Sequence, residues 1–140
     1  MPTRKPFGGA SNNRFEETFR AGVDLTANMY RCVQLWPSQT VTAGTATANT
    51  VSTMIIGIQG AEVPDSGTNA SIRVIMGGVT QARAGAAFSA GVLLMAQTNT
   101  SKVIEYTSAT SAAVIGRALE SASADSEIVA ILVIPSGVVL

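Results

Sequence analysis

Histidine is absent from this chain of 140 residues, and Cys32 is the only cysteine. Without histidine, the Ser-His-Asp and Cys-His arrangements that activate nucleophiles in hydrolases cannot be built. The single cysteine also excludes an internal disulfide and, together with the lack of histidine, a zinc-type metal site within one chain. Free cysteine usually behaves as a small hydrophobic side chain. We therefore expect Cys32 to be buried in a strand, with a contact to a partner chain as the alternative.

Charged residues are also scarce, at 13% of the chain, which is about half the usual share. Nine basic and nine acidic residues give a formal net charge of +0. This balance argues against nucleic acid or an anionic membrane as the main partner. Because charges are few, much of the surface must consist of alanine, glycine, serine and threonine, which favours contact with other protein subunits.

Long apolar runs are missing as well. The longest, residues 128–134, is followed by Pro135, whereas a membrane-spanning helix needs about 20 apolar residues. Residues 1–13 are polar and are not followed by the apolar segment of a signal peptide. We therefore expect a soluble protein without a signal peptide.

The sequence does contain an internal repeat. At an offset of 59, residues 54–81 align with residues 113–140, and seven of the 28 columns are identical, against roughly two or three expected by chance. At an offset of 63, residues 20–27 align with residues 83–90 and share the pattern R-A-G-x-x-(L/F)-(S/T)-A. The difference of four residues predicts an insertion in a loop at residues 40–50. The chain thus divides into a flexible arm, residues 1–15, and one domain, residues 16–140, made of pseudo-repeats 16–78 and 79–140.

Short stretches of β-branched and large apolar residues, bounded by turn-forming residues, predict strands along most of the chain. The candidates are residues 29–36, 51–58, 71–76, 79–83, 92–96, 102–106, 113–119 and 128–134. Residues 12–21 instead predict a short helix, because Phe15 and Phe19 would share a face at i, i+4 spacing. The whole pattern predicts an all-β fold, a small barrel or sandwich of about eight short antiparallel strands from two related halves, with an extended N-terminal arm.

Glycines recur at corresponding places in the two halves. Gly57 and Gly116 each follow an isoleucine inside a predicted strand, where a sheet bends or another backbone comes close. Gly77 and Gly78 match no phosphate-binding pattern and are expected to form a bulge or hinge. The glycines with expected structural roles are Gly22, Gly57, Gly78, Gly85, Gly116 and Gly137.

Candidates for catalysis are few. Ser101 and Lys102 place a hydroxyl beside an amine, but Ser-Lys catalysis requires a buried lysine, and the polar composition of residues 97–102 predicts an exposed loop. Glu16 and Glu17 are adjacent and do not form a pair of carboxylates across a cleft. We expect no enzyme activity, no catalytic residue, no metal site and no cofactor.

The N-terminal arm contains too few apolar side chains to fold alone. We expect it to be disordered until bound, either as a terminus without a role or as a segment that lies along a neighbouring subunit or shell. In the second interpretation, aromatic residues anchor the arm and basic residues meet acidic groups. The residues expected at this capsid or subunit interface are Arg4, Lys5, Phe7, Arg14, Phe15 and Phe19.

The order of short motifs resembles that of the decoration, or cement, proteins of tailed phages, of the small duplicated β-barrel type. Each half has A-G-x-x-Φ-(S/T)-A, where Φ is a large apolar residue, followed by I-G, by I-x-V-I and by G-V. The residues that carry this order are Ala21-Gly22, Ile56-Gly57, residues 72–75, Gly78-Val79, Ala84-Gly85, Ala90-Gly91, Ile115-Gly116 and residues 131–138. The resemblance covers residues 20–140, and the first half departs from it by having Asn28 where the second has Gly91.

This resemblance implies a structural virion protein that binds the outer surface of a phage capsid and stabilises it. The implied partners are the major capsid protein and further copies of the chain in a homotrimer, without nucleic acid, membrane or small-molecule substrate. The implied location is the outer capsid surface, after synthesis in the host cytoplasm. The alternative is a receptor- or glycan-binding β module of a phage head or tail or of a bacterial surface, for which Trp36 would offer an aromatic platform.

Overall fold

A computed structural model describes residues 15–36, 40–43, 55–60, 70–97, 100–107 and 114–134. The all-β prediction is confirmed, with nine strands in these ranges where about eight were expected. Within the same ranges, no helix is long and apolar enough to cross a membrane. The strands are β1 (Phe15–Ala21), β2 (Cys32–Trp36), β3 (Thr40–Ala43), β4 (Ile55–Gln59), β5 (Ser71–Arg83), β6 (Leu93–Ala96), β7 (Val103–Glu105), β8 (Gly116–Ala118) and β9 (Ile128–Val133).

The first five strands are joined into a closed ring, which we call the first ring. Strand β2 pairs with β3 and β4, β4 pairs with β5, and β1 pairs with both β3 and β5. The order is therefore β1-β3-β2-β4-β5 and back to β1. All these pairs are antiparallel except β1 with β3, which is parallel. Closure removes the free strand edges that an open sheet would expose.

A second ring shares the long strand β5 with the first. Residues 71–77 of β5 pair with β1, whereas residues 78–83 pair with β9. From β9 the sheet continues through β8 and β6 to β7. A parallel bridge between Val103 of β7 and Ala84, just after β5, completes the second ring. The two rings are thus fused along one strand.

The buried side chains form two clusters. Because neighbours along a strand face opposite ways, Val74 belongs to one cluster and Ile75 to the other. The smaller cluster comes entirely from the first half: Ala21, Leu25, Val33, Val41, Ile72 and Val74. The larger cluster combines residues of the second ring, such as Leu94, Val103, Ile115 and Ile131, with Cys32, Ile55, Ile58 and Ile75 of the first. The two rings therefore share most of one core.

Two glycines allow neighbouring strands to approach closely. A side chain at Gly57 would collide with the main-chain carbonyl oxygen of Ile75 on β5, and one at Gly116 would collide with that of Leu132 on β9. The obstacle in both places is backbone, which cannot turn aside as a flexible side chain would. Any larger residue must therefore push the paired strands apart.

Three expectations of local structure are wrong. Residues 15–21 form strand β1 rather than part of a helix, because pairing with β3 and β5 outweighs the weak helical spacing. Residues 40–43, expected in a loop, form β3. Residues 71–76 and 79–83 are one strand and not two, since β5 runs through Gly77 and Gly78. Gly78 accommodates this with a positive φ of 88°, which glycine adopts readily.

Candidate functional site

The expected interface residues divide between described and undescribed parts of the chain. Arg4, Lys5, Phe7 and Arg14 lie outside the described residues. Phe15 and Phe19 both lie on β1, but in different surroundings. Phe19 lies opposite Ile72 of β5 and packs against the smaller core cluster. Phe15 lies opposite Gly77, and 57% of it is exposed. Phe15 is therefore available for contact, whereas Phe19 stabilises the first ring.

A second exposed apolar residue is found near Phe15. Ile134, which is 52% exposed, directly follows Val133, and Val133 lies opposite Gly78 of β5. Residues 76–79 of β5 are all half-buried, whereas residues 71–75 and 80–82 are each either buried or exposed. We call Phe15, Ile134 and residues 76–79 the Gly77 patch. It is the place where the first ring passes into the second.

Ser101 and Lys102 are not in an exposed loop, contrary to the sequence-based expectation. Ser101 is buried, and only 9% of Lys102 is exposed. The Lys102 ammonium donates hydrogen bonds to Asp125 Oδ1 at 2.8 Å and to Ser126 Oγ at 2.9 Å. The hydrogen bond from Lys102 is the main reason why the pKa of Asp125 lies below its ordinary value. This arrangement ties the loop before β7 to the loop before β9, which gives the buried lysine a structural role in the second ring.

Two arginines extend these ties to the first ring. Arg31 Nη1 donates to the carbonyl oxygen of Thr100 at 3.1 Å, and Arg83 Nη1 donates to that of Ser126 at 3.0 Å. The main-chain amide of Arg83 also donates to the Tyr30 oxygen at 2.8 Å. We call the loops at residues 28–31, 100–102 and 125–126, with the end of β5, the ring junction. Its bonds hold the two rings in a fixed arrangement.

The ring junction also contains backbone strain. Tyr30, Ser101 and Ser126 have φ values of 63°, 62° and 70°, and they are the non-glycine residues with positive φ in the described part of the chain. Such conformations cost on the order of 1–3 kcal/mol each. All three take part in hydrogen bonds that cross between segments, including Cys32 N to Ser101 O at 2.7 Å. No sequence signal marks these residues, because tyrosine and serine do not favour positive φ.

A buried amide pair accounts for the departure of the first half at Asn28. The Asn28 side-chain nitrogen donates to Gln59 Oε1 and to the carbonyl oxygen of Cys32, each at 3.2 Å. Gln59 Nε2 in turn donates to the Leu25 oxygen at 3.0 Å. At the aligned position in the second half, Gly91 has a φ of 92°. The two loops thus turn by different means, one by side-chain hydrogen bonds and the other by the freedom of glycine.

The remaining expected residues are placed as follows. Gly22 N donates to Val41 O and Gly85 N to Val103 O, both at 2.8 Å, so each glycine follows directly on a parallel pairing. Gly137 and the side chain of Trp36 lie outside what the structure describes. In the described ranges, no three acidic or cysteine side chains are grouped so that they could hold a metal ion.

No family model matches this chain, and no curated protein matches it. Its fold is similar to a solved structure, the head fiber gp8.5 N base in bacteriophage phi29. The likeness covers 88% of this chain and 96% of that chain, with a TM-score of 0.54 and 18% sequence identity. At this identity, what the two proteins share is the all-β fold over nearly the whole of both chains.

Proposed function

We propose that this chain is a structural, non-catalytic protein of a phage head, which binds the outer surface of the capsid and stabilises it. The observation that carries the proposal is the fold likeness to the base of a phage head fiber, which extends over 88% of the chain. The sequence resemblance to capsid-decoration proteins supports it independently, since it rests on motif order and not on the fold. Fold alone does not fix function, so the proposal depends on the agreement of these two observations.

The composition and the core support a structural role. A chain with +0 net charge and 13% charged residues has little electrostatic means to attract nucleic acid. Its two rings share a strand and a core, so it would keep its shape under load. Capsid stabilisation requires such a rigid body, together with surfaces that bind subunits.

We further propose that the two rings are pseudo-repeats, residues 16–78 and 79–140, that arose by duplication. Matching parallel pairings support this, because Ala21 lies opposite Val41 in the first ring and Ala84 opposite Val103 in the second. The close-approach glycines support it too. Gly57 lies opposite Val33 of β2, and Gly116 lies opposite Leu94 of β6.

The N-terminal arm, residues 1–15, is proposed to grip the major capsid protein or a neighbouring copy, and the protein to act as a homotrimer. Arg4, Lys5 and Arg14 would meet acidic groups, and Phe7 and Phe15 would enter apolar sites. A modest contact made by each of three arms adds up strongly when all can bind at once. Binding through many weak contacts requires no covalent chemistry.

Co-sedimentation with purified phage shells tests the proposal. The full chain should bind expanded shells and raise the temperature at which they lose their contents. A variant lacking residues 1–14 should bind at least about tenfold more weakly, equivalent to about 1.4 kcal/mol, while its far-UV circular dichroism and melting temperature stay unchanged. Absence of binding by the full chain contradicts the proposal. Binding to host cells or to glycans instead would support the alternative, a receptor- or glycan-binding module.

A further inference from the structure

We propose that the middle of β5 is a hinge through which copies of this chain can exchange rings, and that Gly78 keeps the two rings of one chain together. In an exchanged assembly, the first ring of one copy docks on the second ring of another. The inference concerns the conformation of the chain itself, so it does not depend on what the protein binds.

The strand pairings divide the chain between Gly77 and Gly78. In the described ranges, β1 to β4 and residues 71–77 of β5 pair only among themselves. Residues 78–83 of β5 and β6 to β9 likewise pair only among themselves, and the bridge that closes the second ring lies in the same half. The two rings therefore share no strand pairing across this boundary. What joins them is the continuous backbone of β5, together with contacts that are not covalent.

The contacts between the rings would all be formed again in an exchanged assembly. Cys32 N donates to Ser101 O at 2.7 Å, and Arg31 Nη1 donates to Thr100 O at 3.1 Å. The larger core cluster also combines buried side chains of both rings. Each of these contacts joins a residue of the first ring to one of the second, so another copy of the chain can supply the same partner atoms. Exchange of identical elements between copies needs no new complementary surface.

The backbone at Gly78 favours the form in which both rings belong to one chain. Its φ of 88° differs widely from the φ of an extended strand, which is about −120° to −140°. This residue is also where β5 changes its partner from β1 to β9. The conformation of Gly78 therefore sets the direction in which the chain enters the second ring. Glycine adopts it readily, whereas any other residue would be strained there and would favour a straighter strand.

Replacing Gly78 by alanine in the full chain tests the inference, with two matched controls. Gly78→Ala should favour exchange about tenfold for each chain, and so about a hundredfold for a pair of chains. Gly77→Ala changes the neighbouring glycine, which lacks a positive φ and where the new Cβ would meet nothing closer than Phe15 Cβ at 3.6 Å. Gly91→Ala introduces similar strain, at a φ of 92° and with nothing within 4 Å, but inside the second ring. Neither control should promote exchange.

A disulfide across the ring contact reports which copy supplies the second ring. Ser101→Cys, made in the unmodified chain and in each glycine variant, places a second thiol beside Cys32, to which residue 101 is joined by a main-chain hydrogen bond. Such neighbours fall within the Cα separation of about 4.4–6.8 Å that a disulfide spans. After refolding at high protein concentration and oxidation, electrophoresis under denaturing, non-reducing conditions should show single chains for the unmodified background and both controls. Gly78→Ala should show linked chains.

Two further measurements decide the matter if the thiols do not oxidise or the alanine variant does not fold. Exchanged rings must separate before the copies can part, so assemblies of Gly78→Ala should persist after dilution, whereas a surface contact would dissociate promptly. Gly78→Asn, which tolerates a positive φ better than alanine, should fold and show an intermediate amount of exchange. Only single-chain disulfides in the Gly78 variants, linkage equal to that of either control, or prompt dissociation on dilution overturns the inference.

Discussion

Replacing Gly116 by alanine tests the closest backbone contact in the second ring. The new Cβ would collide with the Leu132 carbonyl oxygen, so β8 and β9 must separate. Overpacking of this kind costs typically 1–3 kcal/mol, and we take about 3 kcal/mol because the obstacle is backbone. Alanine also reduces the entropy of the unfolded chain, which returns about 0.5 kcal/mol. The expected net loss is about 2.5 kcal/mol.

Thermal unfolding followed by circular dichroism measures this loss. Unfolding entropy of about 2.1 cal/mol/K per residue gives about 0.3 kcal/mol/K for 140 residues, so the melting temperature should fall by about 8 °C. Gly60→Ala is the matched control. Its Cβ would have ordinary contacts, the nearest being Arg73 O at 3.6 Å, so its stability should stay equal or rise slightly. If Gly116→Ala melts within about 2 °C of this control, the close approach is not a real constraint.

Three other predictions follow from buried and charged groups. Lys102→Met should lower the free energy of unfolding by about 1 kcal/mol and the melting temperature by about 3 °C, because it removes the hydrogen bonds to Asp125 and Ser126 but leaves no acid buried. An unchanged melting temperature would show that these hydrogen bonds do not stabilise the fold. The pKa values of Asp125 and Glu127 are lowered, mainly by hydrogen bonds from Lys102 and Ser123 respectively. The two carboxylates therefore stabilise the folded state above about pH 4, and this stabilisation is lost as the pH falls through their folded-state pKa values. Melting temperatures recorded from neutral to acid pH should therefore decline below about pH 4, and less steeply in Asp125→Asn with Glu127→Gln; equal slopes would contradict the assignment. Cys32 is fully buried, as its sequence context indicated, and burial raises the pKa of its thiol, so a thiol reagent should react with it only in denaturant; rapid reaction in the native protein would refute the burial.

The core could largely be predicted from the sequence, because burial follows hydrophobicity and strand alternation. The segments containing Ile58, Ile72, Leu94, Ile115 and Ile131 were all predicted as strands, and all of these residues are buried. The close approach of the backbone at Gly57 and Gly116 was also predicted from the sequence. Glycine weakens a strand, so a glycine inside an apolar strand usually marks a bend or a close backbone contact. These patterns involve residues that are close in the chain, so they can be recognised in the sequence without knowledge of the fold.

Register and closure could not be predicted, because they depend on segments distant in the chain. Ile58 lies opposite Ile75, whereas Arg117, its aligned counterpart, lies opposite Leu132 and not Ile134. A slip of two residues leaves every side chain on its own face, so the hydrophobic pattern is the same with or without it. The sequence could not reveal β1 as a strand either, because its β structure depends on pairing with β3 and β5.

What the sequence by itself determined is the all-β class, the positions of most core strands and the scarcity of catalytic groups, since each follows from residue types and their spacing. The tertiary structure alone decided how the strands close into two rings fused along β5, and it buried Lys102 in a stretch that reads as a polar loop. It also decided that Phe15 and Ile134, far apart in the chain, lie beside adjacent residues of one strand. The physical reason is that composition and periodicity report local preference, whereas surfaces and ion pairs arise from contacts between distant segments.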